Sequence, residues 1–271
     1  MLGRELSEAL RSGRRVFGTM VGSTSPRFVG AAASAGVDFV FLDTEHTPIG
    51  RETLAWMCQA FAASGIAPVV RVPKPDPFEA CKAFDGGAHG VVFPYVESAE
   101  QVQALRGAAK LRPLKGRRLE GALDGTEALE PELADYLAQR NVASVMVVNV
   151  ESVPAMEALD AILGVPGLDA VLIGPHDLSC SLGIPEQYGH PRFDEAVRRI
   201  IGTARAAGVG AGIHYWGNLD QEIAWMRAGL NLLIHSIDFS LFADALRRDL
   251  DRLRQAAGED AAGQARDGQV V

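Results

Sequence analysis

The sequence predicts a (β/α)8 TIM barrel, a closed ring of eight parallel strands each followed by a helix, and three observations carry that expectation. Short β-branched runs alternate with longer Ala-, Leu- and Arg-rich stretches from Val16 to about Leu253. Most of these runs are apolar along their whole length, as parallel strands covered on both faces require. No G-x-G-x-x-G follows any of them, which disfavours an open dinucleotide-binding sheet. Eight strand-then-helix repeats over about 250 residues match a closed barrel better than a doubly wound sheet.

The strands are expected at 16–22, 37–43, 67–72, 90–96, 143–151, 168–174, 209–216 and 231–237. Helices are expected near 25–35, 51–64, 76–86, 98–109, 154–163, 191–206, 218–228 and 239–256, where apolar residues recur at spacings of three and four. Ser98, Asn218 and Asp76 stand at helix entries, where a side-chain oxygen satisfies a free backbone N–H. Gly36, Gly65, Gly208 and Gly229 stand just past helix ends. Two regions break the rhythm. About 45 residues separate strands four and five, and their Gly, Pro and charge predict an excursion on the strand-end face, a lid or substrate loop. After Gly258 the apolar content is too low to pack, so residues 1–257 are expected to form one barrel domain and 258–271 a disordered tail.

Composition narrows the function. The 271 residues are 48% hydrophobic and 22% charged, enough for a sizeable core without disulfide or metal staples. The net charge of -8, from 34 acidic against 26 basic residues, supplies no basic patch for nucleic acid or anionic lipid. Small-molecule chemistry is the expectation. The three cysteines, Cys58, Cys81 and Cys180, lack a CxxC pair or a zinc-like grouping and read as reduced thiols. The amphipathic N-terminal stretch lacks the apolar run of a signal peptide, and no segment approaches about 18 uninterrupted apolar residues. A soluble cytoplasmic protein is expected.

In such a barrel the chemistry sits at the C-terminal ends of strands, and the polar residues concentrate there. Strand two ends in Asp43, Thr44, Glu45 and His46; strand three carries Arg71; strand five ends in Glu151; strand six runs into IGPHDLS, with Asp177 just after it. Strand seven ends in His214, Tyr215 and Trp216, and strand eight in His235, Ser236 and Asp238. Glu151 and Asp177 come from adjacent strands and can converge on one ion, where two hard oxygen donors suit Mg²⁺, Mn²⁺ or Co²⁺. The competing reading pairs them with arginines at the barrel mouth. Histidine ordinarily exchanges protons near neutral pH, which makes His46 the candidate proton carrier, and Asp43, three residues earlier, could orient its ring. Arg71 suits a carbonyl or enolate oxygen, or else a partner for Glu45 or Asp43. Gly174 and Pro175 form a turn into a short helix whose first N–H groups can receive a carboxylate; simple helix entry, capped by Asp177 or Ser179, is the alternative.

At these residues the sequence resembles the HpcH/HpaI class II aldolases. The matching segments are GVDFVFLDTEH (36–46), VVRVP (69–73), KAFDGGAHGVVFPYV (82–96), NVES (149–152) and VPGLDAVLIGPHDLSCSLG (165–183), followed by His190 and Pro191. They span most of the chain, and their combination is specific where each alone is weak. The resemblance implies a barrel of the phosphoenolpyruvate/pyruvate-domain type and a reversible retro-aldol cleavage of a 4-hydroxy-2-oxo acid to pyruvate and an aldehyde. It implies a divalent cation, Mg²⁺, Mn²⁺ or Co²⁺, held by Glu151 and Asp177 and chelated by pyruvate, with Glu45 behind its waters. Arg71 would stabilise the enolate oxygen, His46 with Asp43 would move protons, and Gly174, Pro175, His176 and Asp177 would hold the substrate carboxylate. Asp85 matches an aspartate that reaches a neighbouring subunit's site, and the helix from about Phe239 is expected to be exchanged between subunits of a homo-oligomer, a trimer or a hexamer built as a trimer of dimers.

Several positions depart from the family pattern. Its G-x-R-G segment reads Gly116-Arg117-Arg118-Leu119-Glu120-Gly121 here, a small residue is more usual than His176, and Gln is more usual than Asn149. The run His214-Tyr215-Trp216 is bulkier than the common one. These changes surround the expected aldehyde pocket, with His214 and Trp216 as its candidate walls. Macrophomate-synthase-like or oxaloacetate-decarboxylating chemistry is the alternative on the same enolate, and a non-catalytic ligand-binding barrel is a third class. A Schiff-base aldolase needs a lysine at the mouth, yet Lys74, Lys82, Lys110 and Lys115 all lie outside the expected strands.

Overall fold

The computed structural model describes residues 1–258, so the tail expected beyond Gly258 lies outside the described residues. In chain order the elements are α1 (Gly3–Ser12), β1 (Val16–Met20), α2 (Arg27–Ala35), β2 (Phe39–Asp43), α3 (Arg51–Ala63), β3 (Ala67–Arg71), α4 (Pro77–Asp85) and β4 (Gly90–Phe93). There follow α5 (Ala99–Lys110), α6 (Gly116–Asp124), α7 (Pro131–Arg140), β5 (Val145–Val150), α8 (Val153–Glu157), α9 (Leu159–Leu163), β6 (Ala170–Ile173) and α10 (Pro175–Ser181). The chain ends with α11 (Pro191–Ala206), β7 (Gly210–Tyr215), α12 (Leu219–Arg227), β8 (Leu232–Ile237) and α13 (Asp238–Ala257). The strands pair in sequence order, all parallel, and β8 closes onto β1. All eight expected strands form, each somewhat shorter than its apolar run, and the helix expected at 154–163 divides into α8 and α9.

Alternation along each strand builds two cores. Inward residues such as Phe39, Phe41, Val69 and Val147 fill the barrel, while Val40, Leu42, Val70 and Val148 face the helices. The barrel has room for Phe39 because residue 18 is glycine: a Cβ there would meet the Phe39 ring at 2.7 Å. Two residues beyond Phe41 and Val69, the inward position falls at the rim, and there stand Asp43 and Arg71, directly paired in the sheet register. The same spacing carries Val147 to Asn149 and then Glu151.

The N-terminal end of the barrel is sealed. Leu6, Ala9 and Leu10 of α1 join the inner core from below. Beside them Asp169, fully buried, accepts hydrogen bonds from Ser7 Oγ (2.6 Å), Arg11 Nε (2.9 Å), Lys110 Nζ (2.6 Å) and the Met146 N–H (2.7 Å). Burial pulls the Lys110 ammonium below its usual range, and the Asp169 charge opposes that pull. Four donors satisfy the carboxylate, so this charge stays buried without an ion.

The excursion before β5 corrects the expected lid. It leaves the end of α5, not of a strand, and folds as α6 and α7 on the outside of the barrel. Gln103 of α5 bonds the Leu123 carbonyl, Asn141 bonds the Arg112 carbonyl at 2.8 Å, and Arg112 reaches Ser144 at 3.0 Å. Helix-to-strand connections return to the N-terminal ends of strands, so this segment lies at the end opposite its own chain's mouth. Arg118, from the altered G-x-R-G segment, is taken up by Glu127 and Glu130.

Candidate active site

The rim residues of β2 and β3 lock together first. Arg71 grips Asp43 with two parallel bonds, Nη2 to Oδ2 at 2.6 Å and Nε to Oδ1 at 2.9 Å, and the Glu45 N–H adds a third to Asp43 at 3.0 Å. Burial would raise the Asp43 carboxyl, but the Arg71 bonds and charge outweigh it and hold the group below its usual value. Burial likewise opposes the Arg71 charge, and Asp43, Glu45 and Glu151 overcome it. Of the two readings of Arg71, partnership with Asp43 is therefore present. Among the described residues no protein acceptor is recorded for Arg71 Nη1, which leaves a donor for a ligand.

That partnership changes the place of His46. With its oxygens occupied by Arg71 and the Glu45 amide, Asp43 does not orient the imidazole. His46 is half-exposed, and its Nε2 stands 3.7 Å from Glu45 Oε2. Glu45 Oε2 is buried, 3.2 Å from Arg71 Nε, and makes no hydrogen bond of its own. Glu45 thus lies between the fixed guanidinium and the half-exposed imidazole.

Across the mouth Glu151 is 4% exposed. Its Oε1 accepts the Tyr95 N–H at 2.7 Å and its Oε2 the Asn149 amide at 2.8 Å. Burial raises its carboxyl above the usual range, with Asp177 adding like-charge repulsion against the bonds from Tyr95 and Asn149 and the charge of Arg71. The position demands glycine at 174, since a Cβ there would lie 2.4 Å from Glu151 Oε2. Asp177 stands in the first turn of α10. No arginine or lysine pairs with either carboxylate among the described residues, so the competing guanidinium lock on them is not what forms. Pro175 lacks an N–H, and α10's first internal bond runs from the Leu178 N–H to the Gly174 carbonyl at 3.0 Å, so the His176 and Asp177 amides precede the helical ladder.

Other rim candidates fall elsewhere. His214 points inward, half-buried, its Nε2 3.2 Å from the Ser236 carbonyl; desolvation, then the Arg71 charge, drop it to about 4, so it is neutral. Trp216 follows it, half-exposed, with ring centroids 5.2 Å apart. His176 faces Glu186 at 3.6 Å. His235 turns outward to Glu222 at 2.7 Å, and Asp238 holds the amides of Gly22 and Ser23 at 3.2 and 2.9 Å. Asp85 ends α4 near Arg112, at 3.9 Å, away from its own chain's mouth and largely exposed.

Tyr95 is the site residue that sequence reasoning missed. It was placed inside an expected strand through 96, but β4 stops at Phe93 and Tyr95 adopts φ 53, a left-handed conformation that costs a bulky residue about 1–3 kcal/mol. That turn aims its N–H at Glu151. Its phenol lies against Glu45, whose carboxylate, with burial, pushes it up to about 12 and keeps it a donor. Pro94 was the available signal, because proline has no place inside a central strand.

The donor set can be tested for a cation. Two carboxylates share one face without a basic partner, and Glu45 keeps a buried oxygen without a hydrogen bond. Among the described residues no three His, Cys, Asp or Glu side chains close a cage. Glu151 and Asp177 therefore fit a hard dication that takes its remaining ligands from water or substrate. Gly174→Ala is predicted to lower the melting temperature, because its methyl meets Glu151 at both Oε2 and Cβ, and to weaken Mn²⁺ binding by the folded protein at least about tenfold in titration calorimetry, because one of the two donors is displaced.

The HpcH/HpaI aldolase/citrate lyase family profile matches residues 17–245. The 2-keto-3-deoxy-L-rhamnonate aldolase of Salmonella dublin is 36% identical over 253 residues, covering 91% of each chain. Among solved structures, an HpcH/HpaI aldolase from Desulfitobacterium hafniense DCB-2 superposes with a TM-score of 0.79 at 27% identity, covering 92% of this chain and 96% of that one. The citrate synthase SbnG does so at 0.79 and 30%, covering 94% and 99%. With the profile spanning nearly the whole barrel, this chain belongs to the HpcH/HpaI aldolase/citrate lyase family.

Proposed function

We propose that this chain, a carbon–carbon lyase by family, reversibly cleaves a 4-hydroxy-2-oxo acid to pyruvate and an aldehyde with a divalent cation, Mg²⁺, Mn²⁺ or Co²⁺, held by Glu151 and Asp177. One observation carries the reading: Glu151, just after β5, and Asp177, in the first turn of α10, bear on one another without a basic partner bound to either, and Glu151 lies within the field of a guanidinium already fixed by Asp43. When bound, the dication supplies positive charge where the enolate's negative charge develops. The chain's own residues supply the rest. The His176 and Asp177 amides receive the substrate carboxylate at the turn made by Gly174 and Pro175. Arg71, immobilised by Asp43, presents its remaining donor to the C2 oxygen, an electrostatic contact that strengthens as charge grows there.

In cleavage the C4 hydroxyl loses a proton, the C3–C4 bond breaks, and its electron pair stays with the three-carbon fragment as an enolate. Protonation at C3 then yields pyruvate. His46, half-exposed and beside Glu45, exchanges these protons with solvent. Glu45, kept in place by its contact with Arg71, would order water beside such a cation. No lysine offers a Schiff-base route: Lys74 pairs with Asp76 at 3.0 Å, Lys82 with Glu79 at 2.6 Å, Lys110 is at the far end with Asp169, and Lys115 precedes α6.

The chain acts as a homo-oligomer in this reading. Phe239, Phe242, Leu246, Leu250 and Leu253 form an exposed apolar stripe along α13 at spacings of three and four, too large for a monomer's surface and self-complementary with a second copy. A trimer or hexamer brings Asp85 to a neighbour's mouth. No helix among the described residues is long and apolar enough to cross a membrane, and three free thiols fit the cytoplasm. Phe242→Glu with Leu253→Glu is predicted to lower the mass seen by light scattering; a parent that already runs as a single chain contradicts the assembly.

The activity is tested with a panel of 4-hydroxy-2-oxo acids and oxaloacetate, with EDTA and then with Mg²⁺, Mn²⁺ or Co²⁺ restored, following pyruvate. Expected are loss with EDTA, recovery with metal, slower release from oxaloacetate, and a fall of at least about a hundredfold in Glu151→Gln. Turnover that survives chelation contradicts the reading, and faster release from oxaloacetate makes the chain a decarboxylase.

A further inference from the structure

We infer that the aldehyde partner of this site is uncharged and lies with a flat or apolar face against Trp216, an inference that rests on the pyruvate-aldolase reading. The first support is a continuous aromatic wall. The Arg71 guanidinium sits 5.6 Å from the Phe41 ring centroid, Phe41 is 5.6 Å from His214, His214 is 5.2 Å from Trp216, and Trp216 is 6.3 Å from Tyr188. Tyr188 in turn feels the charge of Asp177. The rings therefore run from the guanidinium past Trp216 to Tyr188. Trp216 keeps 48% of its surface exposed, so the rim holds a large aromatic face that the core does not cover.

The second support is the charge inventory. The phenol of Tyr95, on the Glu151 side of the mouth, is surrounded by Glu45, Asp177 and Glu151. Tyr188 is bordered by Glu186, Asp177, Cys180 and Tyr215. No cation bears on either ring among the described residues. Arg71 is committed to Asp43 and Glu45, His176 to Glu186, and His214 within the wall is neutral. An acceptor with its own carboxylate would enter beside three carboxylates, while the Arg71 guanidinium is bound to Asp43 and its remaining donor is taken by the C2 oxygen. A neutral acceptor meets no such repulsion, and it displaces water from the indole face. In the synthetic direction the pyruvate methyl carbon loses one proton and bonds the aldehyde carbon, whose oxygen takes one proton to become the C4 hydroxyl. No oxidant or reductant enters, and the acceptor's tail takes no part, so recognition of that tail falls to the wall.

Two assays separate this inference from the reading beneath it. Deuterium uptake into the pyruvate methyl group in heavy water with Mn²⁺ needs no aldehyde, and its absence in the wild-type protein defeats the pyruvate-aldolase reading and this inference with it. With exchange present, aldol formation from pyruvate is compared for phenylacetaldehyde and succinate semialdehyde. The expected kcat/KM favours phenylacetaldehyde by at least about tenfold, and Trp216→Ala raises its KM about tenfold. Trp216→Phe, which keeps a ring, stays within about threefold of the parent, so a lost aromatic face is told apart from a damaged fold. Equal or better use of succinate semialdehyde, no product from either aldehyde, or an unchanged KM in Trp216→Ala overturns the inference.

Discussion

The site is organised by negative charge that the protein leaves uncompensated. Glu151 is buried among apolar strands, repelled by Asp177, and given only a backbone N–H and a side-chain amide as partners. At the other end of the same barrel Asp169 shows what the fold does with a buried carboxylate that must stay quiet: it supplies two cations, a hydroxyl and an amide. The contrast is within one molecule and between groups of one kind. A carboxylate pair that no arginine or lysine binds directly among the described residues fits the proposed cation.

The barrel delivers this arrangement by arithmetic. Alternation that packs Phe39, Phe41 and Val69 inside carries the next inward positions to the rim, where water and ligand reach them. Parallel register sets Asp43 opposite Arg71, and the bidentate pair then holds the guanidinium at a fixed angle. The strained backbone also collects at this face. Among the described residues the non-glycine positions with positive φ are Tyr95, just after β4, Glu186, beyond α10, and Ser236, near the end of β8, and Tyr95 and Ser236 present backbone groups to Glu151 and His214. Rigid strands thus supply position, and short irregular segments supply aim.

Much of this was legible in the sequence, for reasons that particular residues show. The strands could be placed because apolar runs such as 37–43 and 143–151 are what two buried faces require. The rim residues followed, since each ends such a run. The partner of Asp43 did not follow: residue type allows Asp43 to serve either Arg71 or His46, and only the register of β2 with β3 chooses Arg71. Tyr95 was hidden because VVFPYV reads as one apolar run although Pro94 ends it. The segment before β5 lies at the end opposite the mouth because α5 has already carried the chain back, which the spacing between strands alone does not show.

The central claim is that Glu151 and Asp177 hold one dication that pyruvate then chelates. Electron paramagnetic resonance of Mn²⁺ with the protein and ¹⁷O-labelled pyruvate reads that contact directly. The proposed contact predicts one Mn²⁺ per chain and line broadening by the labelled pyruvate that disappears in Asp177→Asn. A spectrum of free aqueous Mn²⁺, or bound Mn²⁺ that the label leaves unbroadened, contradicts it.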